Sequence, residues 1–308
     1  MDKIVIGTRG SALALAQSEM VKRQLVEKNP GLAVDITIIK TQGDRKQGTP
    51  QAAENDKKDW IIDLEKALVR GEIDLAVHSG KDVPSDLETG TVIRSVLRRA
   101  TPWDVFIGKR TADGSRLPFK ELPKGAIVGT ASLRRRAALH AHRADLVLRD
   151  VRGNVPTRIQ KLDDSPDLAG IVLAAAGLER LGLRDVAGEV LDSAIMLPAM
   201  NQGALAAQVR TEDFRVHALI DTLVDPQTSA EFAAERAVSE VLGGDCHSAI
   251  SIFAEVRGET ISVESRVFST EGTQVVTFAT EGPLEQAVEL GTAVGREILE
   301  RGASDILS

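Results

Sequence analysis

The sequence predicts two α/β domains that form a cleft, followed by a small C-terminal α+β domain. Short apolar runs alternate with amphipathic stretches through roughly the first two thirds of the chain, as in α/β folds. Two segments, Arg98–Pro102 and Ile195–Ala204, are interpreted as crossings between domains. The expected divisions are 1–98 with 199–221, then 103–195, then 225–308. Two lobes joined by two crossings can close on a ligand.

The composition indicates a soluble, globular, cytoplasmic protein. Of its 308 residues, 43% are hydrophobic and 27% charged, and no apolar run approaches the length of a bilayer span. Asp2 leads directly into a strand, so we expect no signal peptide. Cys246 is the only cysteine, which excludes an internal disulfide and fits a reducing compartment. The net charge of −7 argues against a nucleic-acid partner.

The first domain begins with a predicted strand, Lys3–Gly7, and a helix, Ala12–Lys28, that Ser11 caps. Arg9 and Ser11 therefore lie at a strand-to-helix turn, where free backbone N–H groups favour an anion. A strand over Val34–Lys40, a long polar loop over Thr41–Asp59 and a helix over Trp60–Arg70 follow.

The stretch Ile73–Pro84 contains the most informative turn of the first domain. Leu75–Val77 is typical of a buried strand, and the chain then turns polar at His78–Asp82. Open α/β sheets place ligands just past the carboxyl ends of such strands. A turn with solvated charges is the alternative interpretation. His78 is interpreted as a structural histidine beside this turn, and a strand follows near Val92–Val96.

The second domain carries seven arginines between Arg134 and Arg158, opposed within that stretch only by Asp145 and Asp150. Arginine binds carboxylates and phosphates bidentately, so the cluster favours an anion site over a solvated face with scattered ion pairs. The pattern predicts four strands and two helices, which are the strands Asp104–Gly108, Ala126–Gly129, Leu146–Leu148 and Ile171–Ala174, and the helices Ser132–His142 and Val155–Leu162.

The chain then returns to the first domain through a strand over Ala204–Val209. A helix over Ser229–Leu242 ends in a Gly-rich turn that carries Cys246. The last domain is predicted to contain strands near Ala249–Val256, Thr260–Phe268 and Thr273–Thr280, and a helix over Leu284–Arg301. No His/Cys pattern has the spacing of a metal site.

Nine motifs, taken together in order and spacing, resemble the hydroxymethylbilane synthase (porphobilinogen deaminase) family over nearly the whole chain. They are Gly7–Gln17, Thr41–Asp44, Ala76–Pro84, Val128–Arg135, Arg152–Arg158, Ala174–Gly182, Gln202–Ala204, Ala234–Arg236 and Gly243–Cys246.

The resemblance implies two domains like a periplasmic-binding-protein pair, with the active site between them, in a cytosolic monomer. It implies a transferase of tetrapyrrole (porphyrin and haem) biosynthesis. Four porphobilinogen molecules would be condensed head to tail with release of ammonia on a dipyrromethane cofactor, and the product, hydroxymethylbilane, would then be hydrolysed off. The cofactor would be attached to Cys246 by a thioether.

The resemblance also implies roles for individual residues. Catalysis is assigned to Asp82, Arg9 and Arg152. Cofactor binding is assigned to Cys246, Ser11, Lys81, Asp82, Ser132, Arg134 and Arg135. Substrate binding is assigned to Arg9, Ser11, Arg152, Arg158, Arg180 and Lys57. Arg136 and Arg143 match no binding position and are expected to be solvated.

These residue types suit the chemistry. Each pyrrole carries an acetate and a propionate, which arginines neutralise. Loss of ammonia leaves an azafulvene with positive charge on the pyrrole nitrogen. A fixed carboxylate near that nitrogen stabilises the charge and can move the pyrrole protons.

The chain departs from the family at several positions, among them the 45–60 loop and the turn that carries Cys246. The loop that usually carries a Gly-Gly-Lys-Gly run reads Asn55–Trp60, with Lys57 retained and Ala53 in place of a second lysine. Asp245 precedes Cys246 where Gly is usual, and its charge disfavours the thiolate, so cofactor attachment is hypothesised to be slower.

Three alternatives remain open from the sequence. The first is a non-catalytic small-anion binder, because two-lobed folds also occur in sensors. The second is a nucleic-acid binder that uses the arginines. The third is a family member impaired by the changes in the 45–60 loop and around Cys246.

Overall fold

The computed structural model describes residues 3–41, 61–186, 188–243 and 249–307. The chain divides into two compact units, Met1–Ala100 with Ala204–Phe232, and Thr101–Gly203 with Ala233–Ser308. The described residues form two five-stranded sheets and one three-stranded sheet, so the prediction of α/β domains is confirmed. The division into three domains stays a prediction.

The helices and strands follow one another as β1 (Lys3–Thr8), α1 (Ala12–Lys28), β2 (Ala33–Ile38), α2 (Ile62–Val69), β3 (Leu75–Ser79), β4 (Thr91–Val96), β5 (Asp104–Gly108), β6 (Ile127–Gly129), α3 (Leu133–His142), β7 (Val147–Arg149), α4 (Val155–Asp164), β8 (Leu168–Ala174), α5 (Ala175–Arg180), β9 (Glu189–Val190), β10 (Leu205–Arg210), α6 (Phe214–Asp221), α7 (Pro226–Leu242), β11 (Ala249–Arg257), β12 (Thr260–Phe268), β13 (Val275–Pro283), α8 (Ala287–Ile298) and α9 (Ser304–Leu307).

The two five-stranded sheets share one topology. Their strand orders are β2-β1-β3-β10-β4 and β7-β6-β8-β5-β9. In the first sheet β1 pairs in parallel with β2 and β3, and β10 is antiparallel to β3. In the second, β6 pairs in parallel with β7 and β8, and β5 is antiparallel to β8. Because β1 and β3 are parallel neighbours, the turns after them lie at the same edge of their sheet.

The third sheet, β11-β12-β13, is antiparallel and packs with the second unit. Its residues Ala249 and Phe268 belong to the same hydrophobic cluster as Phe106 and Val128 of the second sheet. This shared core is the reason that the third sheet and the second sheet form one compact unit. The first unit has its own core around Ile4, Ile6, Leu25 and Leu75.

Several predicted elements coincide with the structure, and others were missed. Helix Ala12–Lys28 and strands β5 and β12 begin and end at the predicted residues. Three elements, α5, β9 and α6, were not predicted from the sequence. Helix α5 follows β8 without a break, so its apolar residues continue the hydrophobic run of the strand. The predicted loop lies, after Thr41, outside the described residues.

The predicted last helix is shorter than expected. A separate turn at Leu284–Gln286 precedes α8, and Gly302 has a φ of 101°. Glycine adopts this left-handed conformation without steric cost. The chain therefore turns at Gly302 before α9.

Candidate active site

The turn after β3 presents Asp82 to solvent on a fixed backbone. Gly80–Asp82 forms a single 3₁₀ turn. The Gly80 N–H donates to the Ala204 carbonyl over 2.9 Å, and the Val83 side chain is 1% exposed. Asp82 itself is exposed. The turn is therefore anchored at both ends, and the carboxylate projects from it.

The turn after β1 lies beside this one. Ser11 caps α1 by accepting a hydrogen bond from the Ala14 N–H at 3.2 Å, as predicted. Gln17 of α1 donates to the Ser79 hydroxyl over 2.8 Å, which links the helix to the Asp82 turn. The structure thus brings Arg9, Ser11, Lys81 and Asp82 to one sheet edge. Contacts of these side chains with a ligand stay predictions.

His78 lies behind the Asp82 turn and is buried. Its Nε2 lies 3.1 Å from the Gln208 Oε1. Burial lowers the pKa of His78 to about 4; the Gln208 hydrogen bond and Asp82 raise it, and Arg9 lowers it further. The charges of Asp82 and Arg9 therefore both act on this imidazole, which is a hydrogen-bonded structural histidine, as expected.

Arg134 and Arg135 form a buried double ion pair with Asp104 in the second unit. Arg134 Nη2 donates to Asp104 Oδ2 over 2.7 Å, and Arg135 Nη2 to Asp104 Oδ1 over 2.7 Å. Asp104 is fully buried, and each arginine is 5% exposed. Burial lowers the pKa of Arg134, against the attraction of Asp104. The observed role of the two arginines is this ion pair with Asp104. Their role in binding the cofactor stays a prediction.

Asp104 was missed by the sequence analysis. It also accepts from Gln202 Nε2 at 3.0 Å, so it joins α3 to the segment before β10. The available signal was a charged residue at the first position of a strand whose other residues are apolar and buried. Such a residue needs a buried partner of opposite charge. Ser132, which was predicted, caps α3 by accepting from the Arg135 N–H at 3.4 Å.

Most other arginines of the cluster are paired with aspartates. Asp150 bridges Arg136 and Arg152 at 3.0 and 3.2 Å. Arg143 binds Asp145 through two hydrogen bonds, which raise the pKa of the guanidinium. Arg136 and Arg143, which were expected to be solvated, are partly exposed and ion-paired with aspartates. Arg149 pairs with Asp167 in the same bidentate manner. In the folded protein, Asp104 and Asp167 therefore also pair with arginines of the cluster, in addition to the two aspartates that lie within it.

Two further predicted arginines are held by backbone carbonyls. Arg158 Nε donates to the Gly153 carbonyl, and Arg180 Nη2 to the Gly203 carbonyl, both over 2.6 Å. Burial lowers the pKa of Arg180 to about 10, so it stays protonated at neutral pH. The Nε atoms of Arg134 and Arg180 are buried and have no hydrogen-bond partner among the described residues. Lys57 and Cys246 lie outside the described residues.

Comparisons with known proteins cover both units. A family model described as "Porphobilinogen deaminase, dipyromethane cofactor binding domain" matches residues 4–218, and one described as "Porphobilinogen deaminase, C-terminal domain" matches residues 229–300. A porphobilinogen deaminase of Thermus thermophilus is 43% identical over 100% of this chain and 99% of its own length. Those of Desulforamulus reducens and Geobacter sulfurreducens are 39% and 38% identical, over 99% and 100% of this chain and 97% and 95% of their own lengths.

A solved structure of the BenM effector-binding domain with benzoate matches 72% of this chain and 90% of its own, at 15% identity and a TM-score of 0.40. A likeness this slight decides nothing about the fold.

The chain belongs to the porphobilinogen deaminase family of transferases. Its function is hydroxymethylbilane synthesis from porphobilinogen, a step of tetrapyrrole biosynthesis, with a dipyrromethane cofactor. Across the described ranges, none of the helices is long and apolar enough to cross a membrane. In that same part of the chain, no cluster of three His, Cys, Asp or Glu residues is arranged to hold a metal ion.

The described residues fit a cofactor of this chemistry. A dipyrromethane built from porphobilinogen is rich in carboxylates, and carboxylates accept hydrogen bonds from guanidinium groups. The partnerless Nε atom of Arg134, which the resemblance assigns to the cofactor, is a buried donor of this kind. Native structures rarely leave such donors unsatisfied.

Proposed function

We propose that Asp82 is the catalytic carboxylate of this hydroxymethylbilane synthase. The observation that supports the proposal is its exposed carboxylate on an anchored turn, beside Arg9 and a buried histidine. When ammonia leaves porphobilinogen, positive charge develops on the pyrrole nitrogen. A carboxylate that is already in place stabilises that charge without reorganising, and it accepts the pyrrole proton.

The cationic residues divide into groups by the role that we assign to them. Arg152 has a side chain 51% exposed and only one aspartate contact, so it can turn toward a substrate carboxylate at small cost. We assign Arg9 and Arg152 to the reacting rings, and Arg158, Arg180 and Lys57 to substrate carboxylates. Ser11, Lys81, Ser132, Arg134 and Arg135 are assigned to the cofactor.

The cofactor, when bound, supplies the nucleophilic pyrrole carbon on which the chain of rings begins. We propose Cys246 as its covalent attachment residue, since the thioether needs a sulfur and this is the only cysteine. We also propose that the protein is a cytoplasmic monomer of three domains. It needs neither a metal nor a nucleic acid.

Intact mass under denaturing conditions, compared with a Cys246→Ser variant, tests the attachment. We expect a covalent excess equal to two linked porphobilinogen units in the parent protein and none in the variant. An excess that persists in the variant would remove Cys246 from its role. The parent protein could instead have the mass of the unmodified polypeptide and keep it after incubation with porphobilinogen. That result would indicate that the changes near Cys246 or in the 45–60 loop impair cofactor loading.

A further inference from the structure

A chain of buried hydrogen bonds runs behind the Asp82 turn and has no role in the mechanism above. His78 Nε2 lies 3.1 Å from Gln208 Oε1. Gln208 Nε2 donates to Glu65 Oε1 over 2.8 Å and to Thr91 Oγ1 over 2.9 Å. His78, Gln208 and Glu65 are 6%, 0% and 7% exposed, respectively.

The sheet register brings these residues together. His78 in β3 pairs with Ala206 in β10, and Gln208 lies two residues further along β10. Residues two apart on a strand share a face, so Gln208 reaches His78 diagonally. Glu65 reaches the same amide from α2, and its Oε1 also accepts the Glu88 N–H at 3.1 Å.

The donors and acceptors of this chain permit a single arrangement. A carboxylate accepts hydrogen bonds, so one N–H of the Gln208 amide must point to Glu65, and the second points to Thr91. The amide oxygen is then left for His78, which must donate its Nε2–H. The reversed amide would place its oxygen against the Glu65 carboxylate and its NH₂ against the imidazole. His78 is thereby fixed with its proton on Nε2.

The charged groups around the imidazole act in opposite directions. Asp82 favours the protonated imidazole, and Arg9 disfavours it. Glu65 is one hydrogen bond further away, behind the amide. Burial is the largest effect and keeps His78 neutral at physiological pH. A carboxylate at position 208 would raise the pKa of His78, because a negatively charged hydrogen-bond partner favours the imidazolium form.

We propose that Gln208 is a positioning residue: its amide oxygen fixes the His78 proton on Nε2, and because the amide carries no charge, burial keeps the imidazole neutral beside Asp82. This inference rests on the proposed catalytic role of Asp82. A charged His78 would attract the Asp82 carboxylate and weaken its attraction for the pyrrole nitrogen. A neutral imidazole leaves that carboxylate available to the substrate.

The test is ¹⁵N NMR of histidine-labelled protein, compared with a Gln208→Glu variant. The His78 signals are those that disappear in His78→Asn. In the parent protein we expect the Nε2–H tautomer down to about pH 5, since protonation is disfavoured by burial. In Gln208→Glu we expect the titration midpoint of His78 to rise by at least about one unit. At the new midpoint about half of the variant's His78 is charged, so its turnover relative to the parent protein should fall about twofold there and recover as the pH rises toward 7.

Gln24→Glu makes the same chemical change on the exposed side of α1, where the Gln24 amide donates to Glu27, and it should alter neither readout. If Gln208→Glu does not fold, Gln208→Met removes the amide at similar volume and should let His78 populate both tautomers.

A parent His78 that carries its proton on Nδ1, or that titrates near 6.5, overturns the proposal. So does a Gln208→Glu protein with an unchanged midpoint. These results do not depend on turnover. A failure of the Asp82 assignment would instead appear as retained activity in Asp82→Asn, with the spectra of His78 as expected.

Discussion

Asp82 combines a fixed backbone with a free carboxylate, so its contribution to catalysis can be separated from stability. The Asp82→Asn change keeps the shape of the side chain and removes its charge. We expect turnover to fall by roughly 100-fold or more, since loss of one preorganised electrostatic group has effects of this size. Thermal unfolding should change little, because the side chain is exposed.

Asp86→Asn is the matched control, because Asp86 is an exposed aspartate four residues further along the same loop. It should retain turnover close to that of the parent protein. Ammonia release from porphobilinogen measures both variants. Equal losses in the two variants would mean that general loop charge, and not Asp82, supports the reaction.

His78 makes the stability of the fold depend on pH. Its pKa is about 4 in the folded protein and near 6.5 when unfolded. Between these values the unfolded chain binds more protons, so acidification favours unfolding. The stability from this residue is complete above about pH 6.5 and is lost progressively as the pH falls toward 4.

We therefore expect the parent protein to lose more stability than His78→Asn when the pH falls from 7.5 to 5. The difference should be roughly 2 kcal/mol, from the shift in pKa over that interval. Urea unfolding of both proteins at the two pH values measures it. Parallel losses would show that His78 does not titrate as its burial requires.

At the scale of elements, α8 packs closely on α7 through two glycines one turn apart. A Cβ at Gly291 would meet the Ala234 carbonyl oxygen, and one at Gly295 would lie 2.7 Å from the Val241 Cβ. These positions therefore need small residues for steric reasons, although neither has a positive φ. Val294 and Ile298 of α8 are fully buried.

Gly291→Ala should destabilise the protein by about 1 to 3 kcal/mol, because backbone atoms must move to admit the methyl group. Ala293→Leu adds more volume on the exposed side of the same helix and should change stability little. Denaturant unfolding compares the two. A neutral Gly291→Ala would mean that α8 can shift without loss of packing.

At the scale of the whole molecule, folding neutralises much of the arginine-rich segment with aspartates from several elements. The buried pair of Arg134 and Arg135 with Asp104 is the strongest case. Asp104→Asn leaves two arginines in a buried site without their charge partner. We expect a loss of about 3 to 5 kcal/mol in the free energy of unfolding, as for other buried pairs broken on one side.

Asp167→Asn breaks the exposed pair with Arg149 and is the matched control, with a much smaller effect. If both variants were equally stable, the Asp104 network would contribute no more than a surface ion pair. Chemical denaturation provides the comparison.

The sequence by itself determined the α/β class, most helix and strand positions and the family. These depend on hydrophobic periodicity, caps such as Ser11 and Ser132, and motifs at fixed spacing, which are properties of neighbouring residues. For the same reason the sequence indicated the turn after β3 and its Asp82.

Only the tertiary structure decided what those residues contact. Asp104 meets Arg134 and Arg135, about 30 positions later in the chain, because α3 packs on the second sheet near the start of β5. Gln208 meets His78 and Glu65 across more than 100 residues because β10 is antiparallel to β3. Strand order and register determine such pairs, and both follow from packing of the whole chain rather than from any local pattern.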